Sequence, residues 1–182
     1  MQKERGTEGA FKQLSGQSVT LLHIGTHGYA THVEEGITDE NVLLSRCGLL
    51  LAGAGNTILA GGLPDASAED GILTAREISS MDLRGLDMAM LSACKTGLGK
   101  VESDGVFGLQ RGFKKAGAQT LVMSLRNVDD QITTIFVGYF YTLLLQEKKS
   151  KHDAFVEAQH RLRRELPDDV DDWTAFIIVD DL

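Results

Sequence analysis

Val19-Thr20-Leu21-Leu22-His23-Ile24 is a nearly continuous apolar run, closed by Gly25 and followed by Thr26-His27-Gly28. Its length and lack of polar alternation read as a strand buried on both faces, the kind found inside a parallel sheet. Residues 86–91 (LDMAML) and 120–125 (TLVMSL) have the same character. Between them, Ser103 or Asp104 offers an N-cap to a helix with Val106, Leu109, Phe113 and Ala116 on its apolar face and Gly117 at its end. Asp129 or Asp130 caps the next helix, whose apolar face is Ile132, Phe136, Tyr139, Phe140 and Leu143. Ser150 with Asp153 is a capping-box pattern ahead of Phe155, Ala158 and Leu162.

The remaining segments fill in around these. Residues 74–81 (TAREISSM) suit a short helix, and 173–179 (WTAFIIV) a closing strand. Residues 48–52 (GLLLA) and 53–59 (GAGNTIL) read as a hairpin turning near Gly55-Asn56. Strands that alternate with helices predict an α/β fold, a mostly parallel sheet covered by helices on both faces. In such sheets ligands bind beyond the carboxyl ends of the strands, so chemistry is expected just after each one.

Composition limits the function classes. The 182 residues are 42% hydrophobic and 24% charged, which suits one domain with a real core. Eighteen basic against 26 acidic residues give a net charge of -8, opposed to nonspecific contact with nucleic acid or an anionic membrane surface. No apolar run approaches the roughly 18–20 residues that span a bilayer. The polar, mixed-charge start MQKERGTEGAFKQ is not a signal peptide. Cys47 and Cys94 are too few for a disulfide framework or a thiolate zinc site, which suits a reducing cytoplasm. Twenty glycines against two prolines punctuate apolar runs rather than forming linkers.

Two strand ends carry reactive side chains. Thr26-His27-Gly28 follows the first, and Ser92-Ala93-Cys94-Lys95 follows the second. If these strands are neighbours, an imidazole and a thiol arise about 5 Å apart, enough for a thiolate nucleophile with a proton-transfer partner. The N–H of Gly28, with no Cβ in the way, and the N–H of Cys94 are candidate oxyanion donors. Lys95 adjoins Cys94, and a nearby cation favours the thiolate. Cys47, with no such setting, reads as structural. The bland alternative is that both Cys94 and His27 are ordinary packing residues.

Together these segments resemble the CHAT domain, a branch of the caspase-like cysteine peptidases that includes separases and gingipains. The resemblance rests on six blocks, in the family's order: residues 23–28 (HIGTHG), 91–99 (LSACKTGLG), 104–113 (DGVFGLQRGF), 116–118 (AGA), 122–125 (VMSL) with 128–130 (VDD), and 173–176 (WTAF). It implies a three-layer caspase-hemoglobinase-like fold and a cysteine endopeptidase that forms a thioester acyl-enzyme. It also implies His27 as catalytic histidine, Cys94 as nucleophile, Gly28 and Cys94 amides as oxyanion hole, and no metal or organic cofactor. A protein or peptide substrate follows, with helical repeats upstream as sensors. Ser92, on the same side of its strand as Cys94, lines the expected substrate pocket with Ser124. Arg126 stands where the family commonly has tryptophan, which favours an acidic or polar substrate residue. Asp129 and Asp130 could hold a basic one, or simply cap their helix.

Family members also carry strands before the histidine strand. Only 18 residues precede Val19, so residues 1–182 are expected to be a single domain lacking those strands, and either it is a fragment of a longer protein or another segment or a second copy covers the free edge. The competing function is a catalytically inactive interaction or regulatory module on the same fold. Residues 98–103 (LGKVES) are a candidate self-cleavage segment. Residues 95–100 (KTGLGK) fail the phosphate-loop spacing, and His23, His27 and His32 form only a weak zinc pattern.

Overall fold

The computed structural model describes residues 6–31, 36–62, 69–95, 104–126, 128–167 and 170–180, with backbone only at 93–95, 104–106 and 170. Its strands are β1 (Leu21–Ala30), β2 (Cys47–Leu50), β3 (Ile72–Thr74), β4 (Met88–Lys95), β5 (Thr120–Ser124) and β6 (Phe176–Val179). Its helices are α1 (Glu8–Lys12), α2 (Glu40–Ser45), α3 (Ala54–Leu59), α4 (Ala75–Ser79), α5 (Asp104–Ala116), α6 (Asp130–Tyr141), α7 (Lys151–Glu165) and α8 (Val170–Trp173). A π-helical turn, Thr142–Gln146, extends α6.

The strands form one mixed sheet in the order β3-β2-β1-β4-β5-β6. Parallel pairing is confined to the central β1, β4 and β5, while β2, β3 and β6 join antiparallel. The expectation of a mostly parallel sheet holds for the centre alone: β2, β3 and β6 run antiparallel to their neighbours, although α2, α3 and α6 to α8 lie in the connections that lead to them.

Alternation along the central strands divides the core in two. Ile24, Ala89, Leu91, Leu121 and Met123 face one layer, where Leu44 of α2, Ile78 of α4 and Phe113 of α5 bury them. Met88, Met90 and Val122 face the other, under Phe136 and Phe140 of α6 and Phe155, Ala158 and Leu162 of α7. The Phe136 ring stacks on Phe176 of β6 at 4.0 Å between centroids. These are the three layers of an α/β/α fold.

Capping residues fall where the sequence puts them. Asp129 caps α6 by accepting the Gln131 N–H, and Ser150 caps α7 by accepting the Asp153 N–H. Gly117, at φ +101, ends α5 in the left-handed conformation that only glycine adopts without strain. Thr74 caps α4 in a full capping box with Glu77.

The expected hairpin at residues 48–59 is a correction. Gly53, at φ +108, turns the chain after β2, and residues 54–59 then wind into α3. The partner of β2 is instead β3, in the register Gly48↔Thr74. Position 173 likewise ends α8, and the last strand starts at Phe176.

α5 lies unusually close to its neighbours because Gly108 and Gly112 present the same face. A Cβ at Gly108 would collide with the Cys47 sulfur, and one at Gly112 with the Ala75 carbonyl. Overpacking costs about 1–3 kcal/mol, against about 1 kcal/mol gained from alanine's helix propensity. Gly108→Ala is therefore expected to lower the unfolding free energy by about 1 kcal/mol, and by up to about 2, in urea titrations. Adding Cys47→Ala, which removes the obstructing sulfur, should recover part of that loss. A Gly108→Ala protein as stable as its parent would mean that α5 can shift away freely.

Candidate functional site

β1 and β4 are adjacent, and their register pairs Gly25 with Ser92, Thr26 with Ala93 and His27 with Cys94. Directly opposed residues of a parallel pair share a face of the sheet and lie about 5 Å apart. Positions 27 and 94 are thus neighbours on one face, the face that α6 and α7 cover further along. Both strands run longer than the sequence suggests. Gly25 and Gly28 resemble turn glycines, yet β2 pairs with residues 27–30 and holds β1 extended through them. His27 and Gly28 therefore stand inside the strand rather than after it.

The ladder phase bears on the amides. Met88 donates its N–H to the Thr20 carbonyl at 3.1 Å. Carried along the parallel register two residues at a time, the same phase aims the Cys94 N–H at the Thr26 carbonyl and the Gly28 N–H at the Cys94 carbonyl.

A cavity of about 550 Å³ opens between this face and the start of α6. His23, Gly25, His27 and Ser92 line it from the sheet, with Asp130, Thr133, Thr134 and Val137 on the helix side. His23 Nε2 lies 3.0 Å from Ser92 Oγ, and its ring packs 5.6 Å from Tyr141. Partial burial lowers the His23 pKa from its ordinary value, which favours the neutral ring.

The other expected contacts do not converge there. Ser124 closes β5 opposite Phe176, partly buried and outside the cavity lining. The Arg126 guanidinium donates to the Asp171 carbonyl at 2.9 Å and to Thr174 Oγ1, beside the Asp171 carboxylate. Asp129 spends one carboxylate oxygen on its cap. Asp130, one residue on, does face the cavity. His23, Gly25 and the α6 threonines were not legible as site residues. The one available signal is parity, since 23, 25 and 27 alternate onto the same face. Residues 98–103, His32 and the first five residues lie outside the described residues.

The family model of the CHAT domain matches residues 2–181, nearly the whole chain. The chain belongs to the CHAT domain family. That places it in the caspase-like peptidase superfamily, in keeping with the mixed six-stranded sheet between helical layers. A stretch of 80 residues is also 35% identical to mouse tetratricopeptide repeat protein 28. This covers 43% of the CHAT chain and 3% of that relative, so the chain spans a small part of the curated relative's length. Among the described residues, no helix of this CHAT domain is long and apolar enough to cross a membrane.

Proposed function

We propose that this CHAT domain is a cysteine endopeptidase that hydrolyses peptide bonds through a thioester acyl-enzyme. The observation that carries the reading is the His27↔Cys94 register pair on adjacent parallel strands. The Cys94 thiolate attacks the scissile carbonyl carbon, and the carbonyl π electrons move onto oxygen. Collapse of that tetrahedral oxyanion expels the amine, which takes a proton from the His27 imidazolium. Water then attacks the thioester while His27 accepts its proton, releasing the carboxylic acid and the thiol. No metal or organic cofactor takes part.

The Gly28 and Cys94 amides are the oxyanion donors of this mechanism. Since the ladder phase aims both at neighbouring carbonyls, the last rungs between β1 and β4 must separate when substrate engages. Of the substrate contacts, Ser92 has the best support because it shares the cavity with His27. Ser124, Arg126 and Asp129 contribute from the rim.

The closed rungs favour a second reading, a catalytically inactive interaction module that uses the same face to hold a partner. In either case the tetratricopeptide relative supports an upstream helical-repeat sensor, and a second copy of the chain is the other candidate partner. The site of action is the cytoplasm.

Alkylation rates separate the two readings. Burial pushes the Cys47 thiol up to about 12, which leaves almost no thiolate at neutral pH. Iodoacetamide at pH 7 should modify Cys94 at least about 100-fold faster than Cys47, as read by peptide mass mapping. His27→Ala should narrow that ratio. Equal rates at the two thiols in folded protein would exclude the peptidase.

A further inference from the structure

Gly25 stands in mid-strand without a conformational or packing reason to be glycine. Its φ is outside the left-handed region, and a Cβ built on it meets no atom within 4 Å. A glycine in a strand interior weakens the strand and often marks a close approach by a ligand. By alternation that Cβ would stand between His23 and His27, on the face where the cavity lies. Across the ladder is Ser92, bonded to His23. On the opposite wall, Thr133 Oγ1 is buried with no hydrogen-bond partner.

We infer that this cavity is the subsite for the substrate side chain next to the attacked carbonyl, that Gly25 keeps it open, and that the His23–Ser92 pair selects an uncharged amide side chain, glutamine or asparagine. The inference rests on the peptidase reading only for which substrate residue enters. Ser92 lies two residues, about 7 Å, down its strand from position 94, and His23 lies four residues, about 13 Å, from His27. A side chain that enters beside Cys94 passes over Gly25 before it meets them.

Charge selects the occupant. No lysine or arginine lines the cavity among the described residues, and its carboxylate, Asp130, opposes a second one. A basic side chain finds Asp130 alone, exposed in the first turn of α6 and screened by water. A neutral imidazole and a hydroxyl instead present donors and acceptors together, which a primary amide matches at both ends. A mismatched side chain also leaves the buried Thr133 hydroxyl on the opposite wall unpaired, which adds to the discrimination.

The test uses the full chain carrying Cys94→Ala, so that nothing is turned over. Hexapeptides that differ only in a central Gln, Arg, Asp or Leu are titrated while the histidine ring signals are followed by NMR. The Gln peptide is expected to shift the His23 signals and to bind at least tenfold more tightly than the others. Adding Gly25→Val should abolish that binding, and Ser92→Ala should erase the preference. If the valine variant does not fold, Gly25→Ala, with one methyl in open space, gives the same comparison with a smaller loss. Equal affinity for all four peptides, no shift with any of them, or undiminished binding by the Gly25 variant overturns the subsite. Thiol alkylation reports separately on the peptidase. Selective binding beside an unreactive Cys94 removes the enzyme and keeps the subsite, and a reactive Cys94 without selection removes only the subsite.

Discussion

Cys94→Ala is expected to abolish peptide hydrolysis, and His27→Ala to reduce it by about 10²–10⁴-fold in kcat/KM. The magnitudes follow from their roles. Without sulfur there is no acyl-enzyme, and the remaining binding groups can only orient water. Without the imidazole the thiolate still forms at high pH, but the leaving amine must depart without a proton donor, and positioned acid–base groups contribute about 10²–10⁴-fold. The two variants also differ in pH dependence. Residual turnover by His27→Ala should climb towards the ordinary thiol value of about 8.5, because an unassisted sulfur ionises there. Since the pair acts as a unit, the double variant should be no worse than Cys94→Ala alone. Turnover of a peptide library by Cys94→Ala at the parent's rate would remove the sulfur from the mechanism. So would a His27→Ala protein with unchanged kcat/KM remove the imidazole.

Much of this site was legible because strand-end chemistry depends on local sequence. An apolar run marks β1 and β4, and what stands near its end is read directly. What misled was glycine. Gly25 and Gly28 look like turn residues, yet one opens onto a cavity and the other sits in a ladder, and only the pairing with β2 and β4 distinguishes those uses. Sequence spacing gave no sign of the cavity's second wall, which α6 supplies about a hundred residues later through Thr133, Thr134 and Val137. Long helices declared themselves by apolar period and caps. α1, α2 and α8 did not, because four to six residues complete too little of the period to register. β3 has three residues, and its identity as a strand comes from its pairing with β2. Arg126 shows the converse limit: its departure from the family pattern was visible, but its engagement by Asp171 and Thr174 was not.

The free edge expected on the histidine strand also takes a particular form. β2 covers only residues 27–30 of β1. Beside the earlier half of β1 lies a cavity of about 460 Å³, lined by Gly6, Thr7 and Phe11 on one side and residues 22–26 on the other. The start of the described chain is therefore part of the scaffold that flanks the histidine strand. How α1 is held then matters for the site.

Lys12→Met is expected to destabilise the protein by about 3–5 kcal/mol, the usual result of leaving buried charge without its partner. α1 is five residues long and has no independent stability. It is held by Lys12, whose Nζ sits 2.9 Å from Glu77 Oε1 and 3.5 Å from Glu69, and in contact with Glu8. The side chains of Glu8 and Glu77 are 1% and 9% exposed. Their other oxygens are committed, Glu8 to the Gly71 N–H at 2.8 Å and Glu77 to Thr74 at both its N–H and its hydroxyl. Burial raises the Glu8 pKa, whereas for Glu77 the hydrogen bonds from Lys12 and Thr74 outweigh burial and lower it. In the parent the two directions offset each other in the pH profile of stability. Removing Lys12 takes away a lowering interaction from both carboxyls, so both pKa values move up, and Glu8, which burial already raises, moves further above its ordinary 4.5. The folded variant then binds more protons than the unfolded chain, so its stability rises as pH falls from 7 towards 5. Urea titrations at pH 7 and pH 5 read both effects, and Lys12→Arg, which keeps the charge, should lose far less. A loss below about 1 kcal/mol at pH 7, or no gain at pH 5, would mean that water or a neighbouring group already neutralises this cluster.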